Sequence, residues 1–229
     1  MRKLLILALV FLAAIAWANP ADLINQGSYR AAYQEALALG SAKGYALAAQ
    51  AAVLYANLKA NTDKEKEVWY EKAEQAAEKA IKSDPNYAEG YFELARAQGR
   101  LAQFRGILSS LGLASSVRDN LNKALKLNPR HASALVALAI WNLELAQKGV
   151  GWLYGASIDN VKPLFEKAIK LEPNEVAHRL EYGFALYRMK QYKEARMQLE
   201  KALELPARTY ADKMDQQQAR ELLDEIKNK

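Results

Sequence analysis

The chain has 229 residues and no cysteine, and its 32 Lys and Arg stand against 26 Asp and Glu, a formal net charge of +6. Absence of cysteine excludes disulfides, thiolate metal sites and cysteine nucleophiles. The positive excess is mild and unclustered, as the alternation Lys64-Glu65-Lys66-Glu67 shows. Nucleic-acid binders carry a basic stripe, so no nucleic-acid partner is expected.

Arg2 and Lys3 precede an apolar run from Leu4 to Ile15, and Ala16-Trp17-Ala18 follows. A basic start, a short apolar run and a small-x-small end predict a signal peptide over residues 1–18, cleaved after Ala18. The run is too short to span a bilayer, which takes about 20 apolar residues. The expected protein is therefore exported and periplasmic, with one helical domain over residues 19–229 and no stable membrane span after cleavage.

Gly27-Ser28-Tyr29 followed by Ala32, Ala36 and Leu39 predicts a helix that completes a partial unit. A helix from about Tyr45 to Leu58 pairs with one from about Asp63 to Lys82, which Thr62 and Glu65 cap. A helix tail then recurs. Lys79-Ala80-Ile81-Lys82 returns as Lys123-Ala124-Leu125-Lys126, as Lys167-Ala168-Ile169-Lys170 and as Lys201-Ala202-Leu203-Glu204. Pro85, Pro129, Pro173 and Pro206 follow these tails and end each helix, because proline lacks the N–H and clashes with the preceding turn. The anchoring alanines lie 44, 44 and 34 residues apart. Self-similarity at such periods means stacked helix pairs rather than one closed core. Strand-like alternation is nowhere sustained, so the chain is read as all-α.

Residues 174–205 show the unit most clearly. Tyr182-Gly183, Leu186, Tyr192, Ala195, Leu199 and Ala202 follow the pattern of the tetratricopeptide repeat, and the chain resembles that superfamily. The resemblance implies a tetratricopeptide-repeat α-solenoid with a C-terminal capping helix. HEAT-type arrays, whose periods also reach 44, are the alternative. Ala95 and Ala139 stand where the last unit has Gly183. From there to the second-helix alanine the distance is 29 residues in these two units against 19 in the last. Two inserted segments are therefore expected, near 104–113 and 148–157. Residues 86–173 also bear a looser likeness to the regulator-of-microtubule-dynamics type of repeat protein. It is carried by the two long units, Leu127-Asn128-Pro129 and the helix through Trp141. That likeness implies an array serving protein contacts.

Ser116 with Asp119, Ser157 or Asp159, and Thr209 are the remaining candidate caps. Thr209 opens a final helix with Tyr210, Met214, Leu222 and Ile226 on its apolar stripe. His131 and His178 each follow a proline at a helix start and read as exposed or capping residues, since no second ligand recurs at i+4. Neither a G-x-S-x-G elbow nor an H-E-x-x-H motif is present, and Gly149-Val150-Gly151 lacks the lysine of a phosphate loop. The reading is non-enzymatic, with no cofactor and no metal.

In the tetratricopeptide frame the first helices line the concave face. The resemblance places Phe92, Arg96 and Arg100 there in one unit, Val136, Ile140 and Glu144 in the next, and Leu180, Phe184, Tyr187 and Arg188 in the last. Family members that grip a C-terminal carboxylate use Lys and Asn at these positions; Phe92, Val136 and Leu180 imply no such clamp. Trp152 and Tyr154 of the second insertion are expected to lid or plug the groove. The function expected is a scaffold for a protein or peptide of the bacterial envelope, with self-association possible. The alternative is a small-ligand or transport accessory protein whose pocket the insertions close around Trp152, Tyr154 and Phe184.

Overall fold

The computed structural model describes residues 19–105, 107–227 and 229, and the expected signal peptide lies outside them. Helix follows helix, and the described residues contain no strand. The elements are α1 (Pro20–Asn25), α2 (Tyr29–Ala38), α3 (Ala42–Leu58), α4 (Asp63–Ser83), α5 (Ala88–Arg105), α6 (Ile107–Leu127), α7 (Ala132–Gln147), α8 (Gly151–Tyr154), a 3-10 turn (Ile158–Asn160), α9 (Val161–Leu171), α10 (Val176–Arg188), α11 (Tyr192–Glu204) and α12 (Tyr210–Ile226). α3 packs on α4, α5 on α6, α7 on α9 and α10 on α11. These are the hairpins of an α-solenoid, each resting on the next.

The small residues read from the spacing are the contact points. Ala80, Ala124, Ala168 and Ala202 have no exposed surface, and neither do Ala139 and Ala195. At Gly183 a β-carbon would stand 2.6 Å from the Leu199 side chain, so only glycine lets α10 and α11 approach this closely. Tyr182 stacks on Phe165 of the preceding pair with ring centroids 4.8 Å apart. The core therefore runs along the array as linked clusters rather than as one ball.

Caps form mostly where the sequence puts them. The Thr62 hydroxyl accepts from the Glu65 N–H, and Thr209 and Asp212 form a reciprocal capping box. Ser157 caps the 3-10 turn, accepting from the Asp159 N–H. Ser116 does not cap a helix. It lies inside α6, and its hydroxyl donates to Gln98 in a polar seam with Asn120 and Glu74.

The two insertions differ. The first is no inserted loop: α5 reaches Arg105 and α6 starts at Ile107, so the extra residues lengthen both helices. The second is a true insertion, formed by α8 and the 3-10 turn between α7 and α9. Asn142 of α7 ties it down, accepting from the Ser157 N–H at 2.9 Å and the Asn160 side-chain amide at 3.2 Å while donating to the Leu138 carbonyl.

The array curls until its ends meet, and α12 touches α1 and α3. The Tyr210 ring, at the start of α12, sits edge-on to Tyr29 of α2 at 6.2 Å. The Lys59 ammonium, just past α3, lies 3.7 Å from the centre of the same ring. Gly27 faces it too, and its positive φ (80°) suits the turn between α1 and α2.

Candidate functional site

Successive first helices α5, α7 and α10 form the inner wall, and α12 closes it. Helical periodicity gives each of these helices a face toward the hollow, but its chemistry differs from the expected apolar surface. Phe92, Val136 and Leu180 are buried within the core clusters. Phe92 stacks on the His131 ring at 4.7 Å. They are packing residues, turned away from the hollow because the units curl tightly enough to press neighbouring first helices together. Ile140 and Phe184 are half-buried against the same core.

The charged positions face inward. Arg100 of α5 reaches Glu181 of α10 at 3.9 Å. Both side chains keep about a third of their surface, 37% and 34% respectively, so they stand in an open hollow. Arg188 pairs with Glu144 and also donates to Gln147, binding α10 to α7. Tyr187 donates to Glu225 of α12 and accepts from Lys229, so the chain's own C-terminus covers it. Arg96 pairs with Glu93 at 2.6 Å.

Burial dominates the electrostatics here. The Glu93 carboxyl is 1% exposed, and desolvation pushes its pKa up to about 8 despite the neighbouring Arg96. Asp215 of α12 is raised to about 7 by burial and by the charges of Glu181, Asp212 and Glu175, with Arg100 pulling the other way. Burial also raises Glu181 against the pull of Arg100 and Arg188. Tyr29 is 1% exposed, its hydroxyl has no hydrogen-bond partner, and burial with the charges of Tyr210, Asp215 and Asp212 lifts it to about 12.

His178 is buried rather than exposed. Its Nε2 lies 3.4 Å from the Ser133 hydroxyl, and burial and then the His131 charge lower its pKa to about 4. His131 does cap, accepting from the Ala134 N–H, and its Nε2 lies 3.1 Å from Glu89. Among the described residues no group of three His, Cys, Asp or Glu is placed to hold a metal ion, and no helix is long and apolar enough to cross a membrane.

Trp152 and Tyr154 part company. Trp152 is 80% exposed and Leu153 56%, and Trp152 lines a shallow groove of about 370 Å³ together with Gln147, Gly149 and Ile158. Tyr154 packs inward against the cluster around Trp141, and its carbonyl accepts from Arg118. Tyr154 and Phe184 pack against different core clusters and neither lines the groove that Trp152 lines, so the insertion does not close a pocket around the three. A four-residue helix has too little surface to reach across the wall, so it lies against its own hairpin.

Sequence reasoning missed Glu181, Asp215 and Tyr29. Glu181 is one residue past Leu180 on a helix already assigned to the inner wall, which was the available signal. Nothing local marks Asp215 or Tyr29.

Comparison with known proteins agrees with this geometry. The family model for regulator of microtubule dynamics protein 1-3 matches residues 19–227. The regulator of microtubule dynamics protein 1 of Bos taurus is 24% identical over 181 residues, and the human protein 23% over 185. These alignments cover 73% and 76% of this chain but only 56% and 59% of those proteins, so the chain spans less than three-fifths of its relatives' length. A thermophilic TPR protein of Thermus thermophilus superposes with a TM-score of 0.64 at 19% identity, covering 87% of this chain and 94% of that one. The tetratricopeptide fold expected from the spacing is thus found.

Proposed function

The chain belongs to the regulator of microtubule dynamics protein 1-3 family, and we propose that it is an exported, non-enzymatic scaffold that holds a polypeptide on the inner wall of its solenoid. The observation that carries the reading is the wall itself. Charged side chains from separate repeats, Arg100 and Glu181, converge on an open hollow with loose mutual geometry at 3.9 Å. Arginine and aromatic side chains are the types that concentrate binding energy at protein interfaces, and Arg100 and the half-buried Phe184 both stand on first helices. A loosely paired, solvated arginine also loses little when a partner replaces its contact.

Export rests on the first 18 residues. The family match begins at residue 19, and Asn19 caps α1 by accepting from the Ala21 N–H. The cleavage rule cuts between residues 18 and 19. The partner is then a protein of the envelope. Amino-terminal sequencing of the protein recovered from cells is expected to begin at Asn19; a chain retaining Leu4 to Ile15 overturns export.

The scaffold reading is tested with a photo-crosslinking side chain placed at Arg100 and, as a control, at Lys64 on the outer side of α4. Capture of one defined protein from position 100 and not from position 64 is the expected result. Capture from neither, or equally from both, overturns the inner wall as the binding face.

A further inference from the structure

Tyr187 and Tyr192 flank the turn between α10 and α11, and the last turn of α12 reaches them through Glu225. Their rings stand 5.8 Å apart at 59°. Both are half-buried against the core of the last repeats, which holds them in place. An ammonium lies against the pair. The Lys229 Nζ is 4.6 Å from the centre of the Tyr187 ring and 5.7 Å from that of Tyr192, within cation–π reach of both. It also donates to the Tyr187 hydroxyl at 2.7 Å, and that hydroxyl donates in turn to the Glu225 carboxylate at 3.0 Å. Two aromatic rings, a phenol oxygen and the carboxylate behind it thus converge on one cation. The hydroxyl passes the pull of the carboxylate on to the ammonium, because a donor bonded to an anion becomes a better acceptor itself.

The occupant is easily released. α12 ends at Ile226, and Lys229 lies past it and is exposed. Moving Lys229 away gives up its contacts with the two tyrosines and the bond from its N–H to the Ile226 carbonyl, and leaves α12 whole. Exposed cation–π contacts are weak ones. The neighbouring Lys227 is engaged elsewhere, with Asp224. Tyr187 stands on the last turn of α10, a helix of the inner wall, so a polypeptide held along that wall meets the cation site at its edge. Tyrosine is among the residues that concentrate binding energy at interfaces.

We propose that Tyr187, Tyr192 and Glu225 form a receptor for a lysine side chain of the bound polypeptide, and that Lys229 fills this receptor until the partner arrives. This rests on the scaffold reading and narrows it to partners that present an accessible lysine. Lys229 is then a tethered competitor. A short tether keeps it at an effective concentration on the order of millimolar, enough to exclude weakly bound cations. A partner displaces it by adding contacts along the wall to the same cation contact.

Titration of the purified protein with a peptide of about eight residues alternating alanine and lysine tests this, read by NMR at the ring resonances of Tyr187 and Tyr192 at about 150 mM salt. The acetyl-lysine counterpart forms the second arm. The expected result is a saturable shift of both rings with the lysine peptide and none with the acetylated one. Lys229→Ala tightens the apparent affinity about three- to tenfold by removing the competitor. Within that chain, Glu225→Gln and Tyr187→Phe each weaken it about threefold or more, the latter read at Tyr192. Lys227→Ala changes nothing. Melting curves establish that the variants stay folded. Equal shifts with both peptides, no saturable shift in Lys229→Ala, or no tightening on removal of Lys229 overturns the inference. Ring shifts that grow with protein concentration in the absence of peptide overturn the partner assignment and give the receptor to Lys229 of a second copy. If photo-capture from position 100 persists after such a failure, the scaffold reading stands without the receptor. If the lysine peptide binds while position 100 captures nothing, the receptor stands and the inner wall falls as the binding face.

Discussion

Gln216 sits where the last repeat stops. It is buried, and its amide donates to the carbonyls of Ala202 and Leu205, which α11 leaves open as Pro206 ends the helix. Gln216→Leu keeps the volume but strands both carbonyls, and is expected to cost about 1–3 kcal/mol in urea denaturation. Gly183 has the opposite problem, a lack of space. Gly183→Ala drives a methyl to 2.6 Å from Leu199 and is expected to cost about 1–3 kcal/mol, with Leu199→Ala in the same chain recovering part of it. Gly183 was legible because tight helix pairing demands a small residue at a fixed place in the repeat. Glu181 was not, because a carboxylate on a polar helix face looks the same whether that face meets bulk water or a hollow. Only its approach to Arg100 and Asp215 separates the two cases, and those residues lie on other helices.

Among the elements, the second insertion behaves as a folded appendage. Its inner anchor is Asn142 and its outer surface is Trp152 and Leu153. Trp152→Ser is expected to leave stability within about 0.5 kcal/mol, since the ring is already in water. Asn142→Ala, which strands buried groups and frees the loop, is expected to cost about 1–3 kcal/mol and to expose the bonds at Trp152 and Leu153 to protease. Equal effects of the two changes in denaturation would contradict this division. The ten-residue excess in the spacing revealed that something extra lay in each long unit. It could not reveal the form, because extra residues with helix-forming composition extend two helices as readily as they make a loop. Residues near 104 took the first course; Gly149 and Gly155, both at positive φ, directed those near 150 into the second.

At the scale of the whole molecule, both closure and titration have measurable consequences. Tyr210 is the contact that α12 makes with Tyr29 and Lys59. Tyr210→Ala is expected to loosen that seam, seen as a larger radius of gyration in X-ray scattering with helix content unchanged; an unchanged radius would show that other contacts hold the ends together. Folding raises Glu93 from 4.5 to about 8 and Asp215 from 3.8 to about 7, so the native state holds protons that the unfolded chain has released. Their contribution to stability is therefore fully present below about pH 4 and lost progressively as pH climbs to about 7 for Asp215 and about 8 for Glu93. His178, lowered from 6.5 to about 4, is also destabilised in its charged form, and its contribution is lost as pH falls through that range. Denaturation midpoints should thus decline from about pH 6.5, where the opposing contribution of His178 is complete, to about pH 8 in the native protein, and decline less in Glu93→Gln, whatever the offset between the two chains.

The sequence by itself determined the helices, their pairing and the repeat. These follow from periodicity, small residues and prolines acting within about 40 residues of one another, the length of one unit. Tertiary structure alone decided what the inner wall is made of. Each unit rotates slightly on its neighbour, and the sum of those rotations carries α12 back to α1 and α3. That curvature turns Phe92, Val136 and Leu180 into core and brings Arg100 of α5 to Glu181 of α10. Accumulated rotation is a property of every interface in the array together, and no single segment of the chain records it.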